Sequence, residues 1–132
     1  MTLQELSVYL QIMEKVDKCK EILERLYQKA NPGAASLEGM PRGSEPSKEV
    51  EDLAIEIADA EAQIFFLQSE AAEELKKITE YIDSIPDFRT RTIFRLRFVR
   101  CKSWGEVADY VGKYQTESAV KQVCYAYLRE TE

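Results

Sequence analysis

Residues 48–85 read KEVEDLAIEIADAEAQIFFLQSEAAEELKKITEYIDSI. Apolar side chains recur at Val50, Leu53, Ile57, Ala60, Ile64, Leu67, Ala71, Leu75, Ile78, Ile82 and Ile85. The steps alternate between three and four, the period of one face of an α-helix and of a coiled-coil seam. The doubled four-step through Leu67, Ala71 and Leu75 is a stutter, which locally unwinds a supercoil. Ser47 can cap the helix, and Glu49, Glu51 and Asp52 suit the positive end of its dipole. At 1.5 Å per residue the helix is about 57 Å long. Such a rod cannot bury its stripe against itself. It needs another helix of this chain, a second chain, or both.

Upstream, Thr2-Leu3-Gln4-Glu5 forms a capping box, in which hydroxyl and carboxylate reciprocally satisfy orphan amides. The same alternation then runs through Tyr9, Ile12, Val16, Cys19, Leu23, Leu26 and Ala30, and Leu6, Leu10, Met13 and Ile22 widen the stripe. Asn31-Pro32-Gly33 stops the helix. The segment NPGAASLEGMPRGSEPS, residues 31–47, holds three prolines and three glycines without periodicity, and reads as a flexible loop. The simplest packing is an antiparallel hairpin with this loop at its tip. The second helix outlasts the first by about ten residues, so its end requires the C-terminal helices or a second chain. Pairing within or between chains stays open.

Downstream, Pro86 breaks the rod and Asp87 starts a third helix, 87–101, with Ile93, Phe94, Leu96 and Phe98 as apolar positions. Ser103-Trp104-Gly105-Glu106 is a second capping box. It opens a short helix that carries Val107, Ala108 and Val111 and ends at Gly112, a C′ glycine. After the turn Lys113-Tyr114-Gln115, Thr116 caps a last helix, 117–130, whose inward stripe is Val120, Val123/Cys124, Tyr127 and Leu128. Small Ala108 lets the last two helices approach closely, and Trp104 reads as a core anchor. No strand pattern occurs. The expected fold is all-α: a long antiparallel helical hairpin (coiled coil) over 1–85, then a C-terminal three-helix helix-turn-helix head over 86–132.

The 132 residues are 45% hydrophobic and 32% charged, enough for a core and incompatible with a disordered or disulfide-stapled chain. No apolar run approaches the length of a membrane span, and charge interrupts the N-terminus, so a cytoplasmic protein without a membrane partner is expected. Histidine is absent, and Cys19, Cys101 and Cys124 form no CxxC pair. The usual general acid–base, zinc ligand and redox motif are therefore missing, and no metal or other cofactor is expected. Without a glycine-rich phosphate loop or a nucleophile–base set, the chain does not read as an enzyme. The net charge of −6 is unevenly placed. Residues 1–82 carry 9 basic and 17 acidic side chains, and residues 83–132 carry 9 and 7. Between 86 and 102, Arg89, Arg91, Arg95, Arg97, Arg100 and Lys102 face Asp87 alone. An acidic rod carrying a basic head implies two tasks, since binding follows the local field.

Residues 85–128, IPDFRTRTIFRLRFVRCKSWGEVADYVGKYQTESAVKQVCYAYL, resemble region 4 of sigma factors. The features are the Arg-rich helix RTIFRLRFV, the segment SWGEVADYVG, and ESAVKQ opening the final helix. The whole layout is similar to the RinA- and ArpU-like transcriptional regulators of phages and prophages. The turn from Gly112 to Val120 is longer than the sigma-type pattern by about two residues. The resemblance implies a sequence-specific regulator of phage or prophage genes that binds double-stranded DNA, with the last helix in the major groove. It leaves open whether RNA polymerase is also touched. On that helix Ser118, Gln122, Tyr125 and Arg129 point outward, with Lys121 on the flank. Thr116 and Ser118 suit a phosphate oxygen, Gln122 an adenine edge, and Lys121 guanine or phosphate. Arg89, Arg91, Arg95 and Arg100 are phosphate-binding candidates, some of which would instead pair with the acidic rod. Arg97 is a candidate for a buried pair with Glu106. Oligomerisation through the coiled helices, as a homodimer, would space two recognition helices on half-sites. The alternative is a coiled-coil assembly protein, such as a terminase-like packaging adaptor that recognises DNA.

Overall fold

A computed structural model describes residues 1–31, 48–112 and 114–131. The proposed loop beyond Asn31, the Ser47 cap and Lys113 of the expected turn lie outside the described residues. The described chain is all-helical. The helices are α1 (Leu3–Ala30), α2 (Lys48–Asp83), α3 (Phe88–Phe94), α4 (Trp104–Val111) and α5 (Glu117–Glu130), and a π-helical turn, Arg95–Val99, follows α3. Two compact units divide the chain: residues 14–69, and residues 1–13 together with 70–132.

In the unit of residues 14–69, the periodic positions are the buried ones. Val16, Leu26, Ile64 and Leu67 are buried, and Cys19, Leu23, Leu53, Ile57 and Ala60 are partly so. The Tyr27 hydroxyl of α1 donates to the Glu61 carboxylate of α2. Three expectations are corrected here. Val50, at 56% exposure, and Ala30, also exposed, are not buried as seam positions at the ends of the pattern, and Ile22 is 51% exposed and does not widen it. Ile55, Phe65 and Phe66 are also exposed, at 60, 73 and 62%.

The other unit contains the principal core. Leu6 from the start of α1 and Ile78, Ile82 and Ile85 from the end of α2 pack with Phe94, Phe98, Cys124 and Leu128. The end of the long helix therefore finds its apolar partners among the C-terminal helices. Each such burial stabilises by roughly 1.5–3 kcal/mol. The Phe94 ring meets Phe98 and Tyr127 at centroid distances of 5.7 and 5.5 Å, the latter edge-on. A second cluster, Ile93, Val107, Ala108 and Val120, joins α3, α4 and α5. Ala108 is 4% exposed, so a larger side chain there would force the helices apart.

The helix ends follow the capping residues. Thr2 Oγ1 accepts from Glu5 N at 3.2 Å, and Thr2 N donates to Glu5 Oε2 at 3.4 Å. Asp87 accepts from the Thr90 amide at 2.9 Å and from the Thr90 hydroxyl at 2.7 Å, which satisfies Thr90, the one buried polar residue among those described. Ser103 and Glu106 form the reciprocal box, and Thr116 Oγ1 accepts from Ala119 N at 3.1 Å.

Two local expectations are overturned. The third helix does not run evenly from 87 to 101. After Phe94 it widens into the π turn, with Arg100 N donating to Arg95 O at 3.0 Å and Lys102 N to Leu96 O at 3.0 Å. Phe94 and Phe98, four residues apart and so on one face, are both in the core at 0 and 1% exposure, and beyond the turn Cys101 has φ 57°. Gly112 is not a left-handed cap. Its φ of 162° is extended, and its amide donates to Ala108 O at 3.3 Å.

Candidate nucleic-acid interface

Helix α5 has an anchored row and an outward row. Val120, Cys124 and Leu128, at 0, 0 and 5% exposure, fasten it to the head. Ser118, Gln122, Tyr125 and Arg129 are exposed, and Lys121 is intermediate. Such a polar row is also what any solvated helix presents, so exposure alone does not assign a ligand. Lys121 Nζ lies 3.5 Å from Glu117 Oε1 one turn earlier. Tyr125 meets the Trp104 ring edge-on at 6.2 Å, which orients its hydroxyl end while its body is braced. The Thr116 cap defines where α5 starts, and first-turn amides of a helix are natural donors to an anion.

The structure scatters the arginines. Arg89 comes to the entrance of α5, where its Nη2 donates to Gln115 Oε1 at 2.6 Å. Arg91 turns back, donating to Ile85 O at 3.1 Å with its guanidinium 5.6 Å from the Phe88 ring centroid. Arg95 pairs with Asp83 of α2 at 2.8 Å. Arg100 is exposed and makes no ion pair among the described residues. Arg97 does not pair with Glu106. It donates to Lys102 O at 3.0 Å and lies 5.0 Å from the Trp104 ring centroid, while Glu106 is held by Ser103 and approaches Lys102 Nζ at 3.8 Å. A planar guanidinium over indole is a better-packed solution here than an ion pair on an exposed carboxylate.

Asp87, Glu106 and Cys124 are among the groups shifted from their ordinary ranges. Hydrogen bonds from the Thr90 amide and hydroxyl hold the Asp87 carboxyl below the usual value. Those from Ser103 do the same for Glu106. Burial pushes the Cys124 thiol up to about 12, so it stays a protonated apolar filler.

Sequence reasoning missed Gln115 as the partner of Arg89 and missed the exposed aromatics at the rim. Phe88, Tyr110 and Tyr114 are 73, 70 and 95% exposed. A concavity of about 260 Å³ is lined by Phe88, Arg89, Thr92, Tyr110 and Val111. Phe88 precedes the arginine run as an apolar residue off the helical stripe, which was the available signal. Among the described residues no acidic or cysteine cluster could hold a metal ion, and no helix is long and apolar enough to cross a membrane. No protein-family model, curated protein or solved structure significantly matches this chain.

Proposed function

We propose that this chain is a sequence-specific DNA-binding transcriptional regulator, of the phage or prophage type implied by its resemblance to RinA- and ArpU-like proteins. In this reading α4 and α5 are the helix-turn-helix pair, and α1 and α2 form an antiparallel hairpin that joins two copies. The observation that carries the reading is the two-sided character of α5. Its apolar row is sealed in the head, Val120 against α3 and α4 and Cys124 and Leu128 in the core with Phe94 and Phe98, and its other row offers Ser118, Gln122, Tyr125 and Arg129 to solvent. Gln122 then reads an adenine edge, and Lys121 and Arg129 meet guanine or phosphate. Arg89, held beside the start of α5 by Gln115, and Arg100, with no ion-pair partner among the described residues, are the phosphate contacts the geometry favours. Arg95 must first leave Asp83, and Arg91 is committed to the Ile85 carbonyl. RNA polymerase is a second candidate partner. Neither cofactor nor catalysis enters the scheme. The hairpin reading is supported by the Tyr27–Glu61 contact in one unit and by Leu6 packing near Ile78, Ile82 and Ile85 in the other.

The test is anisotropy of a labelled random duplex across a salt series. Affinity should fall steeply with salt, and Arg89→Ala with Arg100→Ala should flatten the slope by about 1.8. On a selected site, Gln122→Ala should cost about 1–3 kcal/mol of discrimination while leaving random-duplex binding unchanged. A wild-type chain that binds no duplex at about 50 mM salt overturns the reading.

A further inference from the structure

The unit of residues 14–69 exposes apolar and charged rows that its own seam does not use. On α1, Lys15, Lys18, Ile22, Arg25 and Lys29 follow one another at steps of three and four, a single line along the helix. On α2, Asp52, Glu56, Asp59, Gln63 and Phe66 form a line of the same kind. One line is cationic around Ile22 and the other is anionic up to Phe66. All of these residues are exposed, and none of their charges makes an ion pair among the described residues.

The Tyr27–Glu61 contact gives both the flank and the register. Tyr27 directly follows seam residue Leu26, and Glu61 directly follows seam residue Ala60, so this contact marks one flank of the helix pair. Ile22 directly precedes Leu23, and Phe66 directly precedes Leu67, which puts both on the opposite flank. In an antiparallel pair, five residues back from Tyr27 is level with five residues on from Glu61. Ile22 therefore stands level with Phe66, and by the same register Lys29 stands level with Asp59 and Arg25 with Gln63.

We infer that this flank is the dimer interface and that its occupant is a second copy of the chain. A two-fold axis parallel to the helices preserves height along the rod. It lays α1 of one copy antiparallel on α2 of the other, and the reverse, as an isologous contact requires. Ile22 then covers Phe66 twice, once on each side of the axis, and Lys29 meets Asp59 twice. By this register residues 22–29 of one copy lie opposite residues 59–66 of the other, where Lys29 with Asp59 is the opposite-charge pair; the wrong-way arrangement, α2 on α2, would instead set Asp52, Glu56 and Asp59 of the two copies against one another and is rejected by like charge. Phe65, one residue away, follows seam residue Ile64 and lies on the other flank, so it takes no part. The proposal rests on the oligomer reading above and specifies its surface.

Sedimentation equilibrium of the full chain tests it. Wild type should sediment at twice the 15.2 kDa chain mass. Phe66→Glu should raise the dimer dissociation constant by about thirtyfold or more, and Phe65→Glu, on an equally exposed ring, by less than about threefold. Lys29→Glu should weaken the dimer about tenfold, and adding Asp59→Lys to it should restore the wild-type constant. Circular dichroism should show unchanged helix in each variant, because every substituted side chain is exposed. A monomeric wild type at about 100 μM overturns the inference. So does a Phe66→Glu chain as dimeric as wild type, or a dimer that Phe65→Glu breaks instead. The DNA reading is judged separately, since a monomeric variant keeps its salt-dependent binding to random duplex.

Discussion

Glu117 gives a prediction in which affinity and stability move in opposite directions. Its carboxylate lies in the first turn of α5, 3.5 Å from Lys121 Nζ, with the two side chains 56 and 38% exposed. If α5 enters a groove, Glu117 repels the nearest phosphate and holds back the one cation on the flank of the reading face. Glu117→Gln removes the repulsion and releases Lys121 at almost unchanged shape. One additional phosphate contact steepens the salt slope by about 0.9, so affinity for random duplex measured near 50 mM salt should gain about three- to fourfold over that near 200 mM. Stability should fall by about 0.5–1 kcal/mol, because an exposed pair and a favourable charge at the helix N-terminus are lost together. Anisotropy across the salt series reads the first quantity. A urea melt followed by Trp104, the only tryptophan, reads the second. If slope and affinity match wild type while the melt shifts as expected, Lys121 is not at the backbone and the docking of α5 is wrong.

Three further outcomes follow from the head. Phe94→Ala should destabilise by about 3–5 kcal/mol in the same melt, because the ring is fully buried and edge-packed on Tyr127; Phe88→Ala, 73% exposed, should cost under about 1 kcal/mol. Asp87 and Glu106 have folded pKa values below their unfolded ones, so their contribution is present above the unfolded values and is lost as pH falls through the folded ones. A stability–pH profile should therefore decline on the acid side, and Asp87→Asn with Glu106→Gln should flatten that limb. A maleimide at neutral pH should label exposed Cys101 well before Cys124, whose thiol is buried and held protonated to about 12; mass mapping of early adducts on Cys124 would contradict the core.

Periodicity was enough to find the helices, because burial in coiled helices is a property of spacing alone. Ile64, Leu67, Ala71, Ile78, Ile82 and Ile85 are buried where the step pattern puts them. Capping was equally legible, since Thr2, Asp87, Ser103 and Thr116 act through bonds that span three residues. What spacing could not show was the outcome of competition between neighbours. The π turn at Arg95–Val99 has no signature in the spacing, and Arg97 found an indole and a carbonyl in place of a carboxylate. The candidate site was legible as a face and not as a set of contacts. The outward row of α5 follows from 100° steps, whereas the distribution of Arg89, Arg91 and Arg95 among Gln115, Ile85 and Asp83 depends on tertiary neighbours.

The widened turn at Arg95–Val99 also governs how the chain leaves its helix. Each residue of an α-helix advances the direction of exit by 100° and about 1.5 Å. Tightening the spiral of Arg95–Val99 into ordinary α geometry with no residue removed would swing the departing backbone through nearly a third of a circle. Ser103 would then deliver α4 to a different side of Phe98. The width of this turn is thus a dial on the azimuth of everything that follows, and a single-codon deletion, which exchanges a five-residue turn for a four-residue one, would nearly preserve it.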